Sequence, residues 1–303
     1  MSLQQVADAH YVAQQQIVRA TAEQAQTTWS DLAAQTVIEQ WMALLADMVQ
    51  LLTKGQLSAA RLAMPYLAAV AAEQGSTAAL SGVVAAEAFA GVAADGRALA
   101  SLLMQPALRV AGLLARGADD QDALRSGLAS LTRIVATEVP DASRGAVSVG
   151  MVANRRFTTY VRHLRLPSCG RCILLAGKSY GSLEGFARHD RCDCYHLPVV
   201  HDGTGRLPGE TPDQVFAGLS RDQQDAAFGK DAAEAIRAGS DIGRVVNARR
   251  GVFVAGGREF TRTSTGRRGG RQPRLTAEQI IRDAGGDRAA AVEQLRRSGY
   301  LLR

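Results

Sequence analysis

Aromatic side chains make up only 5% of this chain, although apolar residues reach 47%. Alanine supplies much of the difference, and an alanine-rich, aromatic-poor sequence favours helix over sheet. Long apolar runs are missing too. The most apolar window, ALSGVVAAEAFAGVA from Ala79, is shorter than the roughly 20 residues a membrane span needs and carries Glu87. No membrane partner is therefore expected. The opening residues, MSLQQVADAH, are polar rather than basic and then apolar, so the expectation is a soluble protein assembled in the cytoplasm. Cysteine is scarce and local: all four lie between Ser168 and His196, together with two of the five histidines. In a reducing compartment that clustering points to a metal before it points to disulfides.

At 303 residues the chain can form one large domain or two to three smaller ones. Residues 1 to about 137 read as helix throughout. Val37, Ile38, Trp41, Leu44, Leu45, Met48, Leu51 and Leu52 recur at spacings of three and four, which makes one apolar stripe. Gly55, Gly75, Gly91 and Gly96 read as breaks between successive helices, and Gly117 with Asp119-Asp120 reads as a turn. This half has the character of a packing or docking bundle, with no polar cluster resembling a site. A second helical segment, DASRGAVSVGMVANRRFTTYVRHLRL, leads to Pro167, and HDGTGRLPGE after the cysteines reads as a linker. Three helix starts follow, at Thr211 with Gln214, Ser220 with Gln223 and Thr276 with Gln279; Leu275 and Ile280 form a hydrophobic staple around the last. Val252, Val254 and Phe260 around Gly256-Gly257 predict a β-hairpin.

Zinc takes four ligands in a tetrahedron, commonly thiolate sulfur and imidazole nitrogen. Cys169 and Cys172 form a C-x-x-C pair, His189 and Cys192 repeat the spacing, and Cys194 and His196 follow on alternate positions. The candidate ligands are Cys169, Cys172 and His189, with Cys192 or Cys194 as the fourth and His196 the weakest. The bland alternative is a group of ordinary buried cysteines that lie close in sequence. A sulfur-rich, closed set points to structural rather than catalytic zinc.

The enzymes that use similar motifs each lack a partner here. A thioredoxin-type C-x-x-C needs a βαβ setting, which the flanking pattern does not provide. A papain-like C-G-x-C needs a histidine and an asparagine far downstream, but no histidine follows His201. A zinc deaminase needs H-x-E, which occurs nowhere in the chain. A zinc-containing, nuclease-like enzyme acting on nucleic acid stays as the alternative, with His189-Asp190 or His201-Asp202 as imaginable functional groups.

CGRCILLAGKSY followed by HDRCDC resembles the zinc-knuckle region of the Mu F-like (SPP1 gp7-like) phage minor head proteins. LSRDQQDAAFGKDAAEAIRAGSDIGRVVNARRG, further on, is similar to the continuation in minor capsid proteins of actinobacterial phages. The resemblance implies a non-enzymatic virion protein, in the head interior or at the portal vertex and assembled in host cytoplasm. It would bind portal protein and/or major capsid protein and assist head morphogenesis and DNA packaging or delivery. It also implies Zn2+ as a structural cofactor, with Cys169, Cys172, His189, Cys192 and Cys194 matching the ligand pattern. The expected organisation is mainly α: an alanine-rich helical docking domain over 1–137, and a small α+β Mu F-like segment with the zinc knuckle over 138–205. Short capped helices over 206–251, a β-hairpin and Arg/Gly-rich arm over 252–274, and C-terminal helices over 275–303 complete it.

Charge is concentrated. Between Arg244 and Arg274 lie nine arginines against Glu259 alone, while the whole chain carries +6, so the remainder is slightly acidic. Arg249, Arg250, Arg258, Arg262, Arg267, Arg268, Arg271 and Arg274 are candidates for contact with the backbone of packaged DNA or with an acidic portal surface. The stretch after the hairpin is too polar to pack and is expected to form an exposed, flexible arm. Phe253 and Phe260 are the only aromatics there, so nucleic-acid contact is expected to be backbone-directed and independent of sequence.

Overall fold

The computed structural model describes residues 2–76, 80–185, 194–200, 208–249, 251–262 and 273–301. The chain is mainly helical and divides into two compact units, one of residues 1–161 with 179–207 and one of 162–178 with 208–303.

The first unit is built around a single long helix. Its helices are α1 (Leu3–Ser30), α2 (Val37–Arg61), α3 (Ala63–Glu73), α4 (Leu99–Leu103), α5 (Gln105–Leu114) and α6 (Asp120–Ala153). Helix α1 starts at a Ser2/Gln5 capping box, and Asp119 caps α6 by accepting from the amides of Gln121 and Asp122. Helices α1, α2, α3 and α5 all pack on α6. Both tryptophans anchor this core: Trp29 and Trp41 meet edge to face at 4.9 Å. Their indole nitrogens donate to the carbonyls of Leu124 and Leu103, so neither buried N–H is stranded.

The expectation of helix throughout residues 1–137 fails over residues 80–98. That stretch holds a short 3-10 turn at Ala86–Phe89 and an isolated bridge between Val92 and Ala98. It is tied down by side chains instead. Gln56 accepts from the Gly91 amide and donates to the Val92 carbonyl, and Asn154 accepts from the amides of Ser81 and Gly82. Gly75, Gly91 and Gly96 adopt positive φ, as chain reversals require, but Gly55 lies inside α2. A Cβ at Gly55 would stand 2.7 Å from Thr21 Oγ1; its role is close helix approach, not a break.

The second predicted helix is also corrected. Helix α6 runs unbroken through Pro140 to Ala153, and the following residues form strand β1 (Phe157–His163). Phe, Thr, Thr, Tyr and Val there favour a pleated, half-buried surface. With β2 (Ser179–Gly181) and β3 (Tyr195–Val200), β1 makes a sheet of order β2-β1-β3, in which Thr159, Tyr160 and Val161 pair antiparallel with Gly181, Tyr180 and Ser179. Strand β3 rests on α3 and α6.

The second unit has its own core. Its helices are α7 (Gly170–Leu174), α8 (Pro212–Gly218), α9 (Arg221–Phe228), α10 (Lys230–Arg237) and α11 (Ile242–Ala248). Strands β4 (Val252–Ala255), β5 (Arg258–Thr261) and β6 (Arg274–Leu275) follow, then helices α12 (Ala277–Ala284) and α13 (Arg288–Arg297). The capping boxes at Thr211 and Ser220 form as expected. At Thr276 the hydroxyl accepts from the Gln279 backbone amide, but the Gln279 side-chain Oε1 accepts from the Glu259 amide of β5 instead of closing a box. The hairpin forms too, with Gly256 and Gly257 at φ 57° and 73°, the paired positive values of a type I′ turn. Ile173, Phe216, Phe228, Ile236, Ile280 and Tyr300 are among the buried side chains. Residues 201–207 of the expected linker and 263–272 of the expected arm lie outside the described residues.

Candidate functional site

The C-x-x-C pair sits on one turn of helix in the second unit. Cys169 is the N-cap of α7, and Cys172 lies within it, 3% exposed. Cys169 is exposed. Arg162 Nη2 donates to Cys172 Sγ at 3.5 Å from a position that is itself buried. Gly170 serves packing rather than turn formation: a Cβ there would meet the Phe228 ring at 2.6 Å. Cys194, fully buried, precedes β3 in the first unit, where its carbonyl accepts from Arg144 Nε at 3.0 Å. His189 and Cys192 lie outside the described residues. Among the described residues, no three His, Cys, Asp or Glu side chains converge as metal ligands. Cys169 and Cys172 supply the soft sulfur that Zn2+ takes and both belong to the start of α7, but the expected zinc knuckle is not shown among the described residues.

His196 does not stand apart as a spare ligand. Its ring lies edge-on to Tyr160 at 4.4 Å, its Nε2 is 3.4 Å from Ser148 Oγ, and its carbonyl accepts from the Tyr66 hydroxyl.

The first unit contains an open cavity, with a polar row on one wall, that the sequence reading missed. Glu138, Asp141, Arg144 and Ser148 recur along one side of α6 and, with Gln56 and His196, line a space of about 330 Å³. Arg144 pairs with Asp141 at 2.7 Å, both side chains nearly buried, and Glu138 accepts from the Ala94 amide at 2.7 Å. The helical spacing of these polar residues was a visible signal. What makes them a cavity, the 80–98 segment and β3, comes from far away in sequence. Close by, His10 stacks on Tyr66 at 4.1 Å. Burial first, and the Arg144 charge second, hold its pKa down to about 4. Burial and neighbouring Tyr195 push the Tyr66 hydroxyl well above its ordinary range.

Several arginines of the basic stretch are engaged within the second unit. Arg249 pairs with Glu278 at 3.1 Å and donates to the Phe228 carbonyl, and Arg258 pairs with Asp283. Arg274 donates to the Ser298 carbonyl and lies over the Tyr300 ring at 4.0 Å, while Arg244 takes the Gly299 carbonyl. These two guanidiniums bind carbonyls just past the C-terminus of α13, where the helix leaves acceptors without intrahelical partners. Burial pushes the Tyr300 hydroxyl up to about 12. Arg262 is exposed, its guanidinium 4.9 Å from the centre of the Phe253 ring. Arg250, Arg267, Arg268 and Arg271 lie outside the described residues.

This is a mainly helical protein of two units with small sheets, and no helix among its described residues is long and apolar enough to cross a membrane. The family model described as VG15 protein matches residues 1–218; the chain belongs to that family, and the match suggests a phage-encoded protein. No curated protein and no solved structure matches it.

Proposed function

We propose that the chain is a non-enzymatic minor capsid protein of a phage, acting in head morphogenesis in the head interior or at the portal vertex. It binds portal protein and/or major capsid protein and assists head assembly and DNA packaging or delivery. The observation that carries this reading is the family match over residues 1–218, which includes the helical first unit and every cysteine. The Mu F-like pattern at Cys169–Tyr180 and His189–Cys194 supplies the finer assignment. A structural Zn2+ would be held by Cys169, Cys172 and His189, with Cys192 or Cys194 completing the set. Such an ion supplies folding energy to a segment with little apolar surface of its own. Among the described arginines of the stretch, Arg262 is exposed and lies beside Phe253; it is offered to DNA phosphates together with Arg250, Arg267, Arg268 and Arg271, which the sequence places in the same basic stretch.

Two measurements test this. The purified chain should contain zinc, and Cys169→Ser and His189→Ala should lose the metal and melt at lower temperature. A variant that stays folded yet loses a nuclease activity shown by the parent would favour a zinc-containing, nucleic-acid-processing enzyme instead. In assembled particles the chain should be found in the head at the portal vertex; its absence from mature and precursor heads overturns the capsid reading.

A further inference from the structure

We propose that the β4–β5 hairpin is a stacking platform for unpaired bases of single-stranded nucleic acid, built from Phe253 and Phe260 with Arg262 beside them. This goes beyond backbone contact by an arginine arm and does not depend on where in a particle the protein sits.

The sequence shows two isolated phenylalanines in an arginine-rich stretch. The fold brings them together. They are direct cross-strand partners, and their rings stack at 5.8 Å with planes 22° apart. Both are only partly buried, and among the described residues neither belongs to the apolar core of the second unit, which is made by side chains such as Ile173, Phe216 and Ile280. An aromatic pair outside the core of an otherwise aromatic-poor protein asks for a reason. Cross-strand packing explains some of it, since such pairs stabilise a hairpin by about 0.2–1 kcal/mol. It does not explain the surroundings. Arg262 places its guanidinium over Phe253 at 4.9 Å. In sequence the stretch from Arg244 to Arg274 carries nine arginines against Glu259 alone; Arg249 and Arg258 are paired with Glu278 and Asp283, while Arg262 is exposed. Glu259 is engaged by Arg282 at 2.8 Å.

Aromatic faces beside arginine on a small antiparallel sheet are the ingredients single strands use. Bases stack on the rings, and guanidiniums stack on bases or neutralise phosphate. Duplex DNA hides its base faces, so the platform favours unpaired strands. Every base has such a face, so binding is independent of sequence.

The test uses the full chain and fluorescence anisotropy at low salt. The probes are a thymidine 15-mer, an abasic 15-mer of equal charge, the corresponding duplex and polyglutamate. The expected result is that the thymidine strand binds at least tenfold more tightly than the abasic strand. Phe253→Leu and Phe260→Leu, which keep apolar bulk, should each weaken it by about 5- to 100-fold, following the usual worth of one stacked base. Phe253→Trp should restore binding, with circular dichroism unchanged throughout. Equal binding of thymidine and abasic strands would overturn the platform while leaving an arginine–phosphate contact standing. Polyglutamate binding as tightly as the thymidine strand would overturn it in favour of an acidic peptide. No binding of any probe at low salt overturns it outright.

Discussion

At the scale of single residues, burial decides what each side chain can do. His10 is the clearest case. Unfolded, its imidazole titrates near 6.5; in the fold it titrates at about 4, because burial and then Arg144 disfavour the charged form. Between those two values the unfolded chain holds the extra proton, so stability is complete above pH 6.5 and is lost as pH falls toward 4. A shift of this size corresponds to roughly 3 kcal/mol. Urea unfolding at pH 7 and pH 5 should show about 2 kcal/mol of that loss in the parent, since pH 5 still lies above the folded value, and His10→Gln should flatten it; parallel behaviour of the two would remove His10 as the cause. Gly127 is a second case. A Cβ there would stand 2.4 Å from the Trp29 ring and 2.6 Å from Val110. Alanine would gain about 1 kcal/mol of helix propensity but overpack a rigid contact at about 1–3 kcal/mol. Gly127→Ala should therefore lower the melting temperature. Gly112→Ala, where nothing lies within 4 Å, should raise it, and a rise in both would show that Trp29 yields freely.

At the scale of elements, local signals were legible and long-range ones were not. The helix starts at Thr211 and Ser220 and the glycine turn of the hairpin are decided by residues three or four apart, so sequence shows them. Strand β1 was read as helix because the apolar residues before it continue the helical pattern of α6 to Ala153, and the change of period comes without a breaker. The cavity on α6 was missed although Glu138, Asp141, Arg144 and Ser148 sit at helical spacing. A polar row on a helix usually means solvent, and only the 80–98 segment and β3 cover this one. The C-x-x-C spacing of Cys169 and Cys172 was visible in the sequence; Arg162 beside the Cys172 sulfur was not. Within the first unit, Arg144 pairs with Asp141 and holds the Cys194 carbonyl. Arg144→Ala should destabilise by about 3–5 kcal/mol, because it leaves a buried carboxylate without its guanidinium. Adding Asp141→Asn should recover part of that loss. Equal stability of parent and Arg144→Ala in urea titrations would mean that water replaces the pair at no cost.

At the scale of the whole molecule, charge is the organising asymmetry. The chain is +6 overall, yet one stretch holds nine arginines against a single glutamate. The fold shows internal partners for four of those arginines, which sequence alone does not distinguish from the rest. Arg244, Arg249, Arg258 and Arg274 are engaged by carboxylates or by helix-end carbonyls, and replacing Arg249 or Arg274 by alanine should reduce thermal stability. Arg267, Arg268 and Arg271 belong to a glycine-rich polar segment with little apolar surface to bury. Replacing all three by alanine should leave melting unchanged and weaken nucleic-acid binding. Each phosphate released from contact with a single strand reduces the salt slope by about 0.7, so the triple variant should reduce it by about 2 between 50 and 200 mM salt. An unchanged slope would place the phosphate contacts elsewhere, and a fall in melting temperature would place these arginines with the structural group. Salt slope and melting temperature together thus separate cations that hold the protein together from cations that hold its ligand.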